Sequence, residues 1–153
     1  MNQIIDPNIL SVEEWINLVV KLSLSLLVGS LIGLNRQSEN KPAGLRTHML
    51  VTLGSTIFVM TSFPIDQEQV NHESMSRVVQ GITTGVGFLG AGEIFRQSDV
   101  SQNHIKISGL TSAAAIWVSS ALGVAIGAGL YPLALVSVLM TWITLSIIKQ
   151  FER

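Results

Sequence analysis

Long apolar stretches recur along the chain and are separated by short polar segments. Five of them cover residues 15–34, 47–63, 78–95, 110–130 and 131–148. Each comes close to the ~20 residues with which an α-helix crosses the hydrocarbon core of a bilayer. Apolar residues fill all sides of the predicted helices, as in helices surrounded by lipid. The pattern predicts an all-α fold, a polytopic transmembrane bundle of about five spans.

The alternative is a soluble protein with five buried helices. A soluble bundle of this size has too little interior to bury five helices on all sides. The composition also favours a membrane, because 48% of the residues are hydrophobic and only 12% are charged. The charged share is about half that of a soluble domain. We therefore expect one membrane domain over residues 1–153, with the lipid bilayer around it.

The basic residues lie mostly on one side of the predicted bundle. Seven of them follow the first and third stretches or lie in the C-terminal tail: Arg36, Lys41, Arg46, Arg96, Lys106, Lys149 and Arg153. The opposite side is acidic. The positive-inside rule then places the N-terminus outside and the C-terminus in the cytoplasm, which requires an odd number of spans. Without a basic stripe, and with a net charge of −1, nucleic acid is not an expected partner.

Several chemistries are missing from the sequence. The chain has no cysteine, which excludes disulfides, thiolate metal sites and cysteine nucleophiles. It also has no phosphate-binding loop of the G-x-x-x-x-G-K-[ST] type, no H-E-x-x-H zinc motif and no G-x-S-x-G nucleophile elbow. We expect a protein that is not an enzyme and has no cofactor.

Three of the stretches contain the spacing G-x-x-x-G, which brings two glycines onto one side of a helix. In lipid, small residues allow helices to pack closely and take over the role of hydrophobic association. The predicted packing residues are Gly29, Gly33, Gly81, Gly85, Gly123 and Gly127. The glycine-rich segment Gly85–Gly92 also permits a broken helix whose freed carbonyls face a substrate cavity.

Ionisable residues inside a span are candidates for function. Glu93 could bind Mg²⁺ or another cation, carry a proton, or form an ion pair with Arg46 or Arg96. One carboxylate per chain makes a poor Mg²⁺ site unless an oligomer brings several together. Lys21 is expected to reach outwards to the membrane surface or to pair with an acidic residue there.

Polar residues at the ends of the stretches have simpler interpretations. Thr47 is a candidate helix cap, and Arg46 beside it could reach lipid phosphates. His48 is interpreted as a polar residue of the membrane interface. Arg77 is expected to anchor the outer end of the third helix.

Four segments carry a resemblance to the MgtC/SapB family. They read GSLIGLNRQ (29–37), KPAGLRTHMLV (41–51), RVVQGITTGVGFLGAGEI (77–94) and GLTSAAAIW (109–117). Their order and spacing are highly specific, and the resemblance extends over residues from about 15 to 131, most of the chain. The residues that match the family's motifs are Arg36, Arg46, Thr47, Arg77, Gly87, Gly90, Gly92 and Thr111.

The resemblance implies a multi-pass bacterial inner-membrane protein linked to Mg²⁺ limitation and, in some members, to virulence. Members studied as virulence factors look like regulators of other membrane machinery, including the proton-translocating ATP synthase. Two departures from the family pattern stand out. Asn35 replaces an acidic residue, and many members continue into a soluble C-terminal domain where this chain ends at Arg153. We expect any activity of that domain to be missing.

Three functions remain open at this point. The first is a regulator of Mg²⁺ homeostasis that binds a partner through glycine-lined helix faces, either a second copy or another inner-membrane protein complex. The second is an oligomeric transporter or channel for a cation or small solute, with the pathway along the third span. A membrane enzyme is the third and the least favoured.

Overall fold

The computed structural model describes residues 11–62, 72–97, 99–101, 104–106 and 108–148. These contain five helices: α1 (Val12–Ser38), α2 (Leu45–Met60), α3 (His72–Gln97), α4 (Leu110–Gly127) and α5 (Tyr131–Ser146). They correspond one to one to the five apolar stretches. The predicted all-α bundle is confirmed.

A short antiparallel hairpin, which the sequence pattern did not predict, follows α3. Its strands are β1 (Asp99–Ser101) and β2 (His104–Lys106), and Asp99 pairs with Lys106. Three residues per strand are too few to bury a hydrophobic face. The hairpin therefore belongs to the connection between α3 and α4 and leaves the fold class unchanged.

The longest helix, α1, begins before its apolar stretch and ends after it. Ser11 caps the helix, since its hydroxyl accepts a hydrogen bond from the Glu14 backbone N–H and its own N–H donates to the Glu14 carboxylate. This reciprocal pair satisfies two N–H groups that a helix start leaves without partners. At the other end, about one further turn carries the helix from the end of the apolar stretch to Ser38.

The connection between α4 and α5 is the tight turn that the sequence requires. Gly129 adopts a left-handed conformation with φ of 76°, and the Leu130 N–H donates to the Ala125 carbonyl at 2.8 Å. This is a Schellman motif, in which a residue without a Cβ reverses the chain at low cost. Pro132 lies in the first turn of α5, where its missing N–H has no helical partner to lose.

Three helices are long and apolar enough to cross a membrane: α1, the segment 73–95 of α3, and α4. The helices α2 and α5 are also apolar but have only 16 residues each. At 1.5 Å per residue, such a helix spans ~24 Å, less than the ~30 Å of a hydrocarbon core. The crossing of the membrane by α2 and α5, and the orientation of both termini, stay predictions.

The helix α4 lies at the centre of the bundle and packs against all four other helices. It runs parallel to α2, because His48 contacts Ser119 and Thr56 contacts Gly123. Against α1 it runs antiparallel. The C-terminal end of α1 and the N-terminal ends of α2 and α4 therefore meet at one end, which we call the Arg36 end. The opposite end is called the Lys21 end.

The glycine-rich part of α3 is helical throughout, from His72 to Gln97. The alternative of a broken helix across Gly85–Gly92 is therefore wrong. An unbroken helix keeps every backbone N–H and C=O paired within the segment, which is what a lipid environment demands.

Candidate functional site

A buried arginine occupies the Arg36 end. The Arg36 guanidinium is 3% exposed, donates from Nη2 to Ser112 Oγ at 2.8 Å, and lies 3.8 Å from a carboxylate oxygen of Glu39. Its Nε has no hydrogen-bond partner among the described residues. An arginine of the family motif thus joins the end of α1 to the first turn of α4.

The predicted cation-binding residue, Glu93, is half-buried in α3, and its charge acts on Arg36. The pairing expected with Arg46 or Arg96 stays a prediction. Arg46 is exposed, and the Arg96 side chain lies outside the described residues. Within the part of the chain that the structure describes, no group of three or more histidine, cysteine, aspartate or glutamate residues could hold a metal ion. The described residues of this end instead hold a buried arginine with the Glu39 carboxylate beside it.

Hydroxyl groups line the interface between α2 and α4. We call this set the polar seam; it consists of His48, Thr52, Ser55 and Thr56 from α2, with Ser119 and Ser120 from α4, and all six are buried. The sequence analysis missed it. The spacing of the four α2 residues, at intervals of four, three and one, was the available indication of a common helix face.

Hydrogen bonds connect the polar seam across the interface. His48 Nδ1 lies 2.8 Å from Ser119 Oγ, and Ser55 Oγ lies 2.8 Å from Ser120 Oγ. Further along, Thr56 Oγ1 donates to the Gly123 carbonyl at 2.9 Å. Polar contacts of this kind hold transmembrane helices together where lipid provides no hydrophobic drive.

His48 is completely buried between the helices, in the first turn of α2, and its position at the membrane interface stays a prediction. The Ser119 hydroxyl lies 2.8 Å from His48 Nδ1 and also donates to the Ala115 carbonyl at 2.9 Å. The backbone of Ala43 acts on the same imidazole ring through a hydrogen bond. The Arg36 charge acts on this ring.

Lys21 marks the other end of the bundle. Its Nζ donates to the Gly127 carbonyl at 2.9 Å, at the C-terminal end of α4. An ammonium group is favourable there because the last carbonyls of a helix lack partners and carry partial negative charge. Lys21 therefore binds the end of a neighbouring helix, and its reach to the membrane surface or to an acidic residue stays a prediction.

Four of the six predicted packing glycines lie against α2. An added Cβ would come within 2.8 Å of the His48 carbonyl oxygen at Gly29, within 2.7 Å of Leu45 Cα at Gly33, and within 2.8 Å of Val59 Cβ at Gly127. At Gly123 it would overlap the Thr52 carbonyl oxygen. Only glycine permits these close backbone approaches.

The other two packing glycines, Gly81 and Gly85, have open space where a Cβ would stand. They line a groove of about 670 Å³ between α2 and α3 whose walls are almost entirely apolar. Gly54 of α2 lies on the same groove and is also open. No described residue of this chain packs against Gly81 or Gly85 at the place of an added Cβ.

The remaining motif residues are spread over the surface. Arg46, Arg77, Gly87, Gly92 and Thr111 are exposed, and Thr47 is half-buried. Gly44 is the N-cap of α2, which places Thr47 in the first turn instead of at the cap. Arg77 forms an exposed ion pair with Glu73 at 2.6 Å.

Two further positions of the motifs lie at contacts between helices. Gly90 faces Ala113 of α4, where an added Cβ would just touch at 3.4 Å. Asn35, which replaces the acidic residue of the motif, donates from Nδ2 to Ser146 Oγ at 2.9 Å. This bond links α1 to α5 through the side chain that departs from the family pattern.

An apolar helical bundle with a polar interior defines a polytopic membrane protein. The sequence model of the MgtC family matches residues 22–153, and the chain belongs to that family. It is similar to Protein SrpB of Synechococcus elongatus, with 44% identity over 92% of this chain and 79% of the relative. It is 39% identical to the "Putative magnesium transporter YhiD" of Escherichia coli K12, over 86% of this chain and 60% of the relative.

Protein MgtC of Salmonella typhimurium is 34% identical over 80% of this chain, and the match covers 48% of the relative. The chain thus spans between about half and four-fifths of the length of these three relatives. No solved structure matches the chain.

Proposed function

We propose that this protein supports Mg²⁺ homeostasis in the bacterial inner membrane by binding another membrane protein through the open face of α3. The link to magnesium comes from the relative whose printed name is a putative magnesium transporter. The mode of action comes from the open glycines of α3, and this observation carries the proposal.

The packing of α3 is unusual for a helix that is long enough to span a membrane. Only 11% of its apolar window is buried inside the bundle, compared with 56% for α4. Phe88 and Phe95 are 80% and 86% exposed. Helix α3 therefore offers most of its surface to whatever surrounds the protein.

Lipid alone gives no reason for glycines on that surface. A glycine inside a helix costs ~1 kcal/mol relative to alanine and adds no side chain for dispersion contacts with lipid. A second helix, by contrast, gains from glycines because its backbone can approach closely. The open positions Gly81 and Gly85 therefore favour an apolar helix of a partner as the ligand of the groove.

The same groove is a poor pathway for magnesium. A Mg²⁺ ion keeps several of its waters and requires oxygen ligands, usually carboxylates. The groove is lined by apolar side chains and glycines, and Ser55 is its single hydroxyl-bearing residue. This lining supports regulation through a partner over the alternative of an oligomeric cation transporter along α3.

The proposal is tested by filling the groove. We expect Gly85→Leu to abolish growth of a homologue-deficient bacterium in low Mg²⁺, since the leucine occupies the space of the partner helix. The matched control is Ala91→Leu, an exposed position of α3 about 120° around the helix from Gly85. Both variants are checked for equal amounts in the membrane fraction.

Two results would contradict the proposal. One is normal growth with Gly85→Leu. The other is Mg²⁺ flux by the purified wild-type protein in vesicles above that of protein-free vesicles, which would point to transport.

A further inference from the structure

A second groove, of about 710 Å³, lies between α1 and α5. Its walls are almost entirely apolar, and the hydroxyl of Ser30 within it donates to the Leu27 carbonyl of its own helix. Unlike the groove beside α3, it has no glycine among the described residues that line it. A helix of another protein would therefore lack the close backbone approach on which packing in lipid depends.

This groove covers only part of the length of its two helices. On α1 it extends from Leu24 to Leu31, and on α5 from Tyr131 to Val138. Both helices continue for about two turns beyond it. Seven residue steps give a depth of ~10 Å, which is less than the ~15 Å that one leaflet contributes to the hydrocarbon core. The depth fits the tail of a lipid in one leaflet, whereas a spanning helix would need contact along the whole height of the bundle.

A positive charge lies at one end of this groove. Lys21 precedes Leu24 by three residues, so it lies about one turn beyond the groove on the same side of α1. Its Nζ reaches the Gly127 carbonyl, four residues before Tyr131, which brings the ammonium to the end of the groove where α5 begins. Tyr131 is exposed there, as aromatic residues are at the level of the lipid headgroups.

The charged residue nearest to this end of the groove is Lys21. Helix α5 has no charged residue from Tyr131 to Ser146. The acidic residues of α1, Glu13 and Glu14, lie ~10–12 Å beyond Lys21 along the helix and are thus further from the groove. A lysine at the level of the headgroups attracts anionic lipids.

We propose that the groove between α1 and α5 binds an anionic phospholipid from the leaflet at the Lys21 end. One acyl chain lies in the groove and gains dispersion contacts with its apolar side chains, and the headgroup phosphate lies at the Lys21 ammonium. At the Arg36 end, Asn35 already joins α1 to α5 through Ser146. The lipid provides a second link between these two helices, at the opposite end of the bundle.

The headgroup is tested by native mass spectrometry of the purified protein in detergent, with dioleoyl phosphatidylglycerol and dioleoyl phosphatidylcholine as probes. Both lipids have the same tails, so a difference between their dissociation constants reports the headgroup. We expect the wild type to bind phosphatidylglycerol about fivefold more tightly, the factor that one lysine provides near anionic lipid. Lys21→Met should remove this preference. The matched control is Arg77→Met, which removes an exposed basic residue of α3 and should keep it.

The tail is tested by a second pair of variants in α5. Leu135 lines the groove and Leu133 does not, although the two side chains are 61% and 54% exposed. They lie about 160° apart around the helix. We expect Leu135→Trp to fill the groove and weaken the binding of both lipids, and Leu133→Trp to bind them like the wild type. Thermal unfolding in detergent is recorded for all variants.

The proposal is overturned if the wild type binds the two lipids equally well. It also fails if Lys21→Met keeps the preference for phosphatidylglycerol to the same extent as Arg77→Met. Should Lys21→Met not fold, equal lipid binding by Leu135→Trp and Leu133→Trp would be decisive against it. None of the changed positions lines the groove between α2 and α3, so the proposed binding of a partner protein stands or falls separately.

Discussion

Arg36 shows how a single charged side chain can be retained inside an apolar bundle. Its guanidinium is almost fully buried, and burial of a charge is tolerated only when other polar groups surround it. Ser112 accepts one of its N–H bonds, and the carboxylates of Glu39 and Glu93 provide opposite charge. The hydrogen bond to Ser112 thereby joins α1 to α4 at the Arg36 end.

Replacing this arginine should loosen the bundle. We expect Arg36→Met to lower the free energy of unfolding by about 2 kcal/mol, because hydrogen bonds to charged groups contribute on the order of 1.5–3 kcal/mol. The measurement is denaturant unfolding in detergent micelles. Arg46→Met is the matched control, since Arg46 is exposed and should be neutral. Equal unfolding curves for the two variants would show that the buried contacts contribute nothing.

At the scale of residues, the sequence predicted where a polar residue lies along its helix better than it predicted which neighbouring helix the side chain contacts. Glu93 and His48 were placed near the ends of apolar stretches and lie near the ends of α3 and α2, whereas Lys21 lies well inside α1. Their partners could not be predicted, because the stretches are apolar on all sides and one sequence does not show which side faces another helix. Lys21 is the clearest case: its partner is a backbone carbonyl, which every residue possesses.

Among the elements, α4 depends most on small residues. It contacts α2 so closely at Gly123 and Gly127 that the two backbones leave no space for a side chain. In water the hydrophobic effect also drives helices together. Lipid provides no such drive, so close van der Waals contact between small residues becomes a main source of attraction. The polar seam forms its hydrogen bonds because these glycines bring the helices together.

A methyl group at this contact should therefore separate the helices. We expect Gly123→Ala to destabilise the protein by ~1–3 kcal/mol through overpacking, despite the better helix propensity of alanine. Thermal unfolding in detergent measures the change.

The control is Gly54→Ala, where an added Cβ meets open space and where a neutral or stabilising result is expected. If Gly123→Ala is as stable as Gly54→Ala, the close contact between α2 and α4 is not needed for stability.

The helices themselves were predictable, because long apolar stretches leave few alternatives in a chain of this composition. Their ends were less so. Helix α1 extends past Leu34 through polar residues to Ser38, and α2 ends at Met60, before the end of its apolar stretch. Caps and turns decide such ends, and they depend on a few local hydrogen bonds that a count of apolar residues does not contain.

For the whole molecule, the distribution of charge predicts which end of the bundle faces the cytoplasm, and the fold alone does not. Antiparallel packing of α1 against α2 and α4 requires that Ser38 and Thr61 lie at opposite ends of the bundle. The excess of basic residues on the side of Ser38 favours the cytoplasm for that end.

The absence of native cysteine makes this orientation directly measurable. We expect Thr61→Cys to react with a membrane-impermeant maleimide on intact cells and Ser38→Cys to react only after permeabilisation. Both side chains are exposed at helix ends, so each is accessible to reagent on its own side. Reaction of both cysteines on intact cells would mean that the predicted crossing between them is wrong.

The two 16-residue helices have a consequence for the surrounding lipid. If α2 and α5 cross the bilayer, each is ~6 Å shorter than a typical hydrocarbon core. Acyl chains beside them must then compress, at a cost of fractions of a kcal/mol for each ångström of mismatch. Lipids with shorter tails relieve that compression. The stability of the protein should therefore depend on the thickness of the bilayer. We expect it to differ between vesicles made from short-chain and long-chain phospholipids.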